Sequence, residues 1–322
     1  MSTVNCINHQ VIQSSSKSVI WSISISADDK LLTVGQTAGQ DGKPTLSLIE
    51  IATGKCIAVI EKSQNTLNSV YNVLFDRKNP QLLYYTCQIG AEYIVNAYNL
   101  ATQAKKTLHR TGNKNIDLKL SADNNGNVLI PDSNAKLISF GGDEIVQAID
   151  VDLTDMIKNT TDINKAVMNL SPSGQEIAIA NAEKGKVFFY SIPEKKIINE
   201  FCGSFDYLET FAYDPKYRYG LAIKSNHQLI VWDLNTSQLH IESKCEYING
   251  VLSININPTF DLFTVGMITP FTLIFDLNLG KRFYKDDYQN GRVYDVCFTS
   301  DGKKLISAGE DGKIVIRELE IN

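Results

Sequence analysis

Short apolar runs alternate with polar turns along most of this chain, and the pattern is clearest near its end. Val293-Tyr294-Asp295-Val296-Cys297-Phe298 alternates and is rich in residues that favour strands. Ser300-Asp301-Gly302 follows with hairpin-turn chemistry, because glycine tolerates the positive φ that tight turns require. Lys304-Leu305-Ile306-Ser307 then predicts a second strand, Asp311-Gly312 a second turn and Ile314-Val315-Ile316 a third strand. Degraded copies of this unit bring the total to seven. The residues that end the third strands are Ile49, Tyr98, Phe140, Tyr190, Trp232, Phe275 and Arg317, spaced 42 to 50 residues apart. The apolar ends of the first strands, Ile25, Phe75, Leu120, Leu170, Tyr213, Ile256 and Phe298, give the same range of steps.

A repeat of about 40–45 residues with four strands marks a β-propeller blade. The expected fold is all-β: a seven-bladed β-propeller of four-stranded antiparallel blades, forming one domain over residues 1–322. After its third strand the last repeat has too few residues for a fourth, whereas Val4 to Ile12 is long enough for one strand. An open ring would leave two unpaired edges. Residues 1–18 are therefore expected to supply the N-terminal strand that closes the last blade, with seven repeats from about residue 19 to 322. Gly35 to Lys43 and Asp150 to Asn164 are the longest insertions and account for the longest steps. Loops of this length on a rigid ring are candidate partner contacts or plain insertions.

The fifth repeat ends its third strand in Leu229-Ile230-Val231-Trp232-Asp233-Leu234. Here the chain resembles the WD-repeat (WD40) family, whose namesake is that Trp-Asp pair; Phe275-Asp276 and Tyr98-Asn99 are looser versions. The resemblance implies a propeller that serves as an interaction platform. Family blades often open on Gly-His, whose His joins a buried hydrogen-bonded tetrad. Gly203-Ser204 stands there in the fifth repeat and Gln289 takes the His position in the seventh, so these blades are expected to rely more on apolar packing. Adaptors of cullin-type ubiquitin ligases carry Arg two residues after the Asp, where this chain has Asn235. The Phe-Arg-Arg-Gly motif of phosphoinositide-binding propellers is missing.

Composition narrows the function classes. The 322 residues are 43% hydrophobic, yet no apolar run approaches the roughly 18 residues needed to span a bilayer. The start, Met-Ser-Thr-Val-Asn-Cys, shows no signal-peptide pattern. Six scattered cysteines, with no Cys-x-x-Cys pair, read as reduced thiols of a cytoplasmic or nuclear protein. A net charge of −5 disfavours nucleic acid, which calls for a concentrated basic face, although a ring can gather distant lysines on one rim.

No catalytic motif stands out. His-Glu-x-x-His, Gly-x-x-x-x-Gly-Lys-Ser/Thr, Gly-x-Gly-x-x-Gly and Gly-x-Ser-x-Gly are all missing, and the four histidines are dispersed. No enzyme activity, cofactor or metal is therefore expected. In propellers of the WD type, the residue just inside each first strand often faces the upper mouth of the channel. Those positions are Trp21, Tyr71, Ile116, Ala166, Glu209, Leu252 and Tyr294. Trp21, Tyr71 and Tyr294 belong to blades that become neighbours on closure, with Arg292 and Glu310 as expected polar neighbours. Aromatic and Arg side chains dominate binding hot spots, so this group is a candidate partner-binding patch; rings that fill gaps between blades are the bland alternative. Glu209 and Tyr207 lie across the ring and could meet a basic partner residue. The expected function is a non-catalytic scaffold for protein or peptide partners, as a monomeric ring within a larger complex. Two alternatives stay open: a subunit of an RNA-associated complex, and a metal-dependent hydrolase or lactonase with its site in the channel.

Overall fold

The structure, a computed structural model, describes the chain apart from residues 1–2, 40–41, 65–68, 91, 112–119, 131–135, 142–143, 151–165, 182–185, 203–207, 225–227, 246–247 and 249. The side chains of residues 111, 130, 136–141, 144–150, 166–167, 181, 202 and 208–209 are also outside the description. The N-terminal strand is β1 (Val4–Gln13). Blade one holds β2 (Ile20–Ile25), β3 (Leu31–Gln36), β4 (Pro44–Glu50) and β5 (Lys55–Lys62). Blade two holds β6 (Val70–Phe75), β7 (Leu82–Ile89), β8 (Glu92–Asn99) and β9 (Lys105–Thr111). Blade three holds β10 (Ser121–Ala122), β11 (Asn127–Ile130), β12 (Lys136–Gly141) and β13 (Glu144–Asp150). Blade four holds β14 (Ala166–Leu170), β15 (Glu176–Asn181), β16 (Lys186–Ser191) and β17 (Lys196–Cys202). Blade five holds β18 (Leu208–Tyr213), β19 (Tyr219–Lys224), β20 (Gln228–Asp233) and β21 (Gln238–Lys244). Blade six holds β22 (Val251–Ile256), β23 (Leu262–Met267), β24 (Thr272–Asp276) and β25 (Arg282–Asp286). The last sheet holds β26 (Val293–Phe298), β27 (Lys304–Gly309) and β28 (Lys313–Ile321), with β1 as its outermost strand.

The expectation of a seven-bladed β-propeller needs correction to six regular blades. Six sheets have an inner strand of five or six residues and are regular blades; in blade three the inner strand β10 is a two-residue pairing, Ser121↔Leu129 and Ala122↔Val128. After Ala122 the Asp123 carboxylate accepts the N–H groups of Asn125 and Asn127, each at 2.8 Å, and turns the chain into β11.

Each regular blade is buried on both faces, so its middle strands read as continuous apolar runs. The core lies between blades. Ile20, Ile23, Leu32 and Val34 of blade one pack with Ile306, Ala308, Ile314 and Ile316 of the last sheet. Leu221, Leu229 and Val231 of blade five likewise pack with Phe263, Val265 and Phe275 of blade six. At the seam between blades six and seven the backbones themselves come close: a Cβ on Gly266 would lie 2.7 Å from the carbonyl oxygen of Val293. Only glycine fits there.

β1 runs antiparallel to β28 from Val4↔Ile321 to Gln13↔Lys313, with one bulge between Cys6 and Asn8. The pairing continues to Thr3 and Asn322, which exchange backbone hydrogen bonds of 2.8 and 3.0 Å. The side chains of Val4 and Leu319 are buried beneath it. Residues at opposite ends of the chain thus share one sheet.

The expectation that the blades rely more on apolar packing meets an exception in the last blade. Arg317 is fully buried. Its guanidinium forms a two-bond ion pair with Asp286, the bond from Nη2 being 2.7 Å, and donates to Thr272 Oγ1 at 3.1 Å and Ser307 Oγ at 2.9 Å. Ser307 in turn donates to Oε1 of the buried Gln289 at 2.9 Å. A buried polar chain therefore links Gln289, Ser307, Arg317 and Asp286.

Candidate functional site

Two surfaces can carry chemistry: the central channel and the face from which the inner strands start. The channel, about 510 Å³, is lined by residues of all seven inner strands, among them Ser22, Asn72, Ser121, Asn169, Thr210, Ser253 and Asp295. Most of its polar side chains are committed to holding blades together. Ser24 Oγ accepts the N–H of Phe75, Asn72 Oδ1 that of Leu120, Ser121 Oγ that of Leu170 and Asn255 Oδ1 that of Phe298, all within 3.0 Å. Asn169 donates to the carbonyl of Phe211 at 2.8 Å.

The described carboxylates lining the channel are Asp29 and Asp295. Both are used structurally. Asp29 accepts the N–H of Ser300 at 2.9 Å, and Asp295 accepts the N–H of Ile23 together with hydroxyls from Ser22 and Ser253. Burial pushes the thiol of Cys297, also on the channel lining, well above its ordinary pKa. Among the described residues no group of three or more His, Cys, Asp or Glu side chains could hold a metal ion.

The starting face is organised by a repeated backbone irregularity. In β2, β6, β18, β22 and β26 the register slips by one residue at the second position. The residues at these bulges are Trp21, Tyr71, Glu209, Leu252 and Tyr294. A bulge leaves one residue unpaired, increases the local twist and re-aims its side chain. β14 pairs without a bulge, so the position of Ala166 is not equivalent to these five.

Three of the expected aromatics meet. The rings of Trp21 and Tyr294 lie 4.5 Å apart, centroid to centroid, and those of Trp21 and Tyr71 5.9 Å apart, each pair tilted by 51°. Tyr93, at the start of β8, extends the group with its ring 6.1 Å from Tyr71. Tracking strand ends could not reveal Tyr93, because it sits at the beginning of a third strand. All four rings are half-buried. Two are fixed by their polar tips: Trp21 Nε1 donates to Thr37 Oγ1 at 2.6 Å, and Tyr71 Oη donates to Gln88 Oε1 at 2.9 Å.

Beside Tyr294, Glu310 Oε2 accepts the backbone N–H of Arg292 at 3.0 Å, and the Arg292 guanidinium lies 4.0 Å from the same carboxylate. Both side chains are about half exposed, at 54% and 46%. On blade five Glu209 occupies its bulge, but its side chain lies outside the described part, and Tyr207 and Ile116 lie outside it entirely.

Residues 282–317, which span β25 to β28, match the family model described as WD domain, G-beta repeat. No curated protein matches the chain.

Proposed function

Because the repeat match and the propeller of four-stranded blades support a divergent member of the WD-repeat β-propeller family, we propose that this chain is a non-catalytic scaffold within a larger complex. A propeller of this family generally serves as a platform for protein interactions. The finer reading places a partner on the aromatic row Tyr294–Trp21–Tyr71–Tyr93, edged by Arg292 and Glu310. The observation that carries it is the repeated bulge, which aims large rings toward one face where Leu252 shows that an aliphatic residue also fits. Large aromatic side chains with few rotatable bonds bury much area at small entropic cost, and Tyr, Trp and Arg dominate binding hot spots. Glu209 and Tyr207 of blade five remain proposed contacts for a basic partner residue.

Hydrolysis in the channel is less favoured, because Asp29 and Asp295 already serve the frame. An RNA-associated role is disfavoured by the net charge of −5. The test is capture of partners from the native source, with and without nuclease, by the wild type and by Tyr71→Ala and Tyr294→Ala. Hot-spot truncation should weaken capture by about 2 kcal/mol or more with folding largely intact. Rings that only fill gaps would instead lower stability by about 3–5 kcal/mol and leave affinity per folded molecule unchanged, which overturns the patch.

A further inference from the structure

The row of rings has a shape and a charge balance that narrow its ligand. Its four rings follow one another at centroid distances of 4.5, 5.9 and 6.1 Å, so they form a continuous aromatic strip. Two successive steps along the strip reach at most about 10 to 12 Å, enough to lie under one turn of a polyproline II helix, roughly 9 Å at three residues per turn. Such helices carry flat pyrrolidine faces and dock on aromatic-lined surfaces, with little conformational entropy left to lose.

The polar groups at the row are also informative. Trp21 Nε1 and Tyr71 Oη are bound internally, which holds those rings as rigid platforms. Tyr294 Oη makes no hydrogen bond among the described residues, and the Arg292 guanidinium is 54% exposed; both are available donors beside the strip. A polyproline II backbone has no internal hydrogen bonds, so its carbonyls are free to accept from them. The charges flanking the strip are balanced. Arg292 faces Glu310 at one end, and Arg110 pairs with Glu92 at 3.0 Å in the blade that carries Tyr71 and Tyr93. A strip edged by neutralised pairs complements an uncharged ligand rather than a polyanion.

We propose that the aromatic row receives a proline-rich, polyproline II segment of a protein partner, with Tyr294 Oη and Arg292 donating to its carbonyls. The inference rests on the reading of this row as the partner-binding surface.

The probe is a decaproline peptide titrated into the full chain. Trp21 emission is the readout, because Trp21 is half-exposed on the row whereas Trp232 is 3% exposed inside blade five. A glycine–serine decamer and an oligouridine decamer are the comparison ligands. The expected result is a saturable change with decaproline, weakened at least tenfold by Tyr294→Ala and several-fold by Arg292→Ala. Tyr294→Phe, which removes only the hydroxyl, should fall between wild type and Tyr294→Ala; it and the exposed Arg292 variant keep the test decisive if Tyr294→Ala fails to fold. Four outcomes overturn the proposal. They are no response to decaproline up to about 1 mM, the weak end of specific binding, an equal response to glycine–serine, a response to oligouridine alone, or unchanged affinity in the folded variants. If Tyr71→Ala abolishes partner capture while decaproline stays silent, the scaffold reading stands and the polyproline proposal falls.

Discussion

Asp295 of the last blade accepts the backbone N–H of Ile23 in blade one at 2.9 Å, joining residues 272 positions apart in the chain. The same carboxylate accepts the hydroxyl of Ser22 at 3.1 Å and that of Ser253 in blade six at 2.8 Å. One side chain therefore links three consecutive blades at the point where the ring meets itself. Charge-assisted bonds of this kind contribute more than neutral ones, and deleting the acceptor leaves a part-buried N–H unpaired.

Asp295→Ala should accordingly destabilise the fold by about 3 kcal/mol. Asp295→Asn, which retains one acceptor oxygen, should cost less. Chemical denaturation of both variants provides the check. Equal stability of wild type and Asp295→Ala would show that the seam is held by apolar packing alone.

Removal of residues 1–13 tests the other closing element. It exposes the ladder edge of β28 and uncovers Leu319, and it takes away the side chain of Val4. The melting temperature should fall steeply and the truncated chain should self-associate, since an exposed apolar strand edge is a template for pairing. An unchanged melting temperature would mean that β1 is dispensable to the ring.

The repeat was legible because inner strands end where an apolar residue meets a turn. Ile25, Phe75, Leu170, Tyr213, Ile256 and Phe298 are each the last residue of their strand. Blade three was not legible as an exception, since a spacing ruler counts Leu120 without registering that the pairing after it has shrunk to Ser121–Ala122. At the candidate site the positions of Trp21, Tyr71 and Tyr294 followed from spacing and closure. The bulges that aim them did not, because an unpaired residue leaves the apolar pattern of its own strand unaltered. At Gln289 the sequence shows only that the family histidine is replaced. The hydrogen bond of Gln289 to Ser307, and through it to Arg317, depends on three loops and strands meeting in space.

That buried chain makes a sharper prediction than apolar packing would. Arg317→Met would leave Asp286 nearly buried without its cation and would strip Ser307 and Thr272 of a donor. Breaking one half of a buried pair costs about 3–5 kcal/mol, whereas replacing both halves with apolar groups is often close to neutral. The double change Arg317→Met with Asp286→Leu should therefore recover much of the loss. If the double variant is as unstable as the sum of the singles, the two residues act independently and the network reading is wrong. Urea denaturation of the three variants, compared as a cycle, measures the coupling directly.

A second ion pair gives a pH-dependent signature. At the seam between blades five and six, Asp261 accepts from Arg218 Nη1 at 2.8 Å and from Asn278 Nδ2 at 3.2 Å. Partial burial pushes the Asp261 carboxyl up, but the hydrogen bonds from Arg218 and Asn278 outweigh it, and its pKa is lowered from the ordinary value. A depressed folded pKa contributes stability that is present above the unfolded value, about 3.9, and lost as pH falls through the folded one. Asp261→Asn should therefore melt below wild type at pH 7, and the gap should close as pH drops below about 4. The Asp261 side chain is 43% exposed, so the gap at neutral pH should stay under about 1 kcal/mol and shrink with added salt. Melting curves of both proteins between neutral pH and acid, at low and high salt, decide the matter. A gap that persists or widens in acid would assign the loss to packing at the seam and not to the charge.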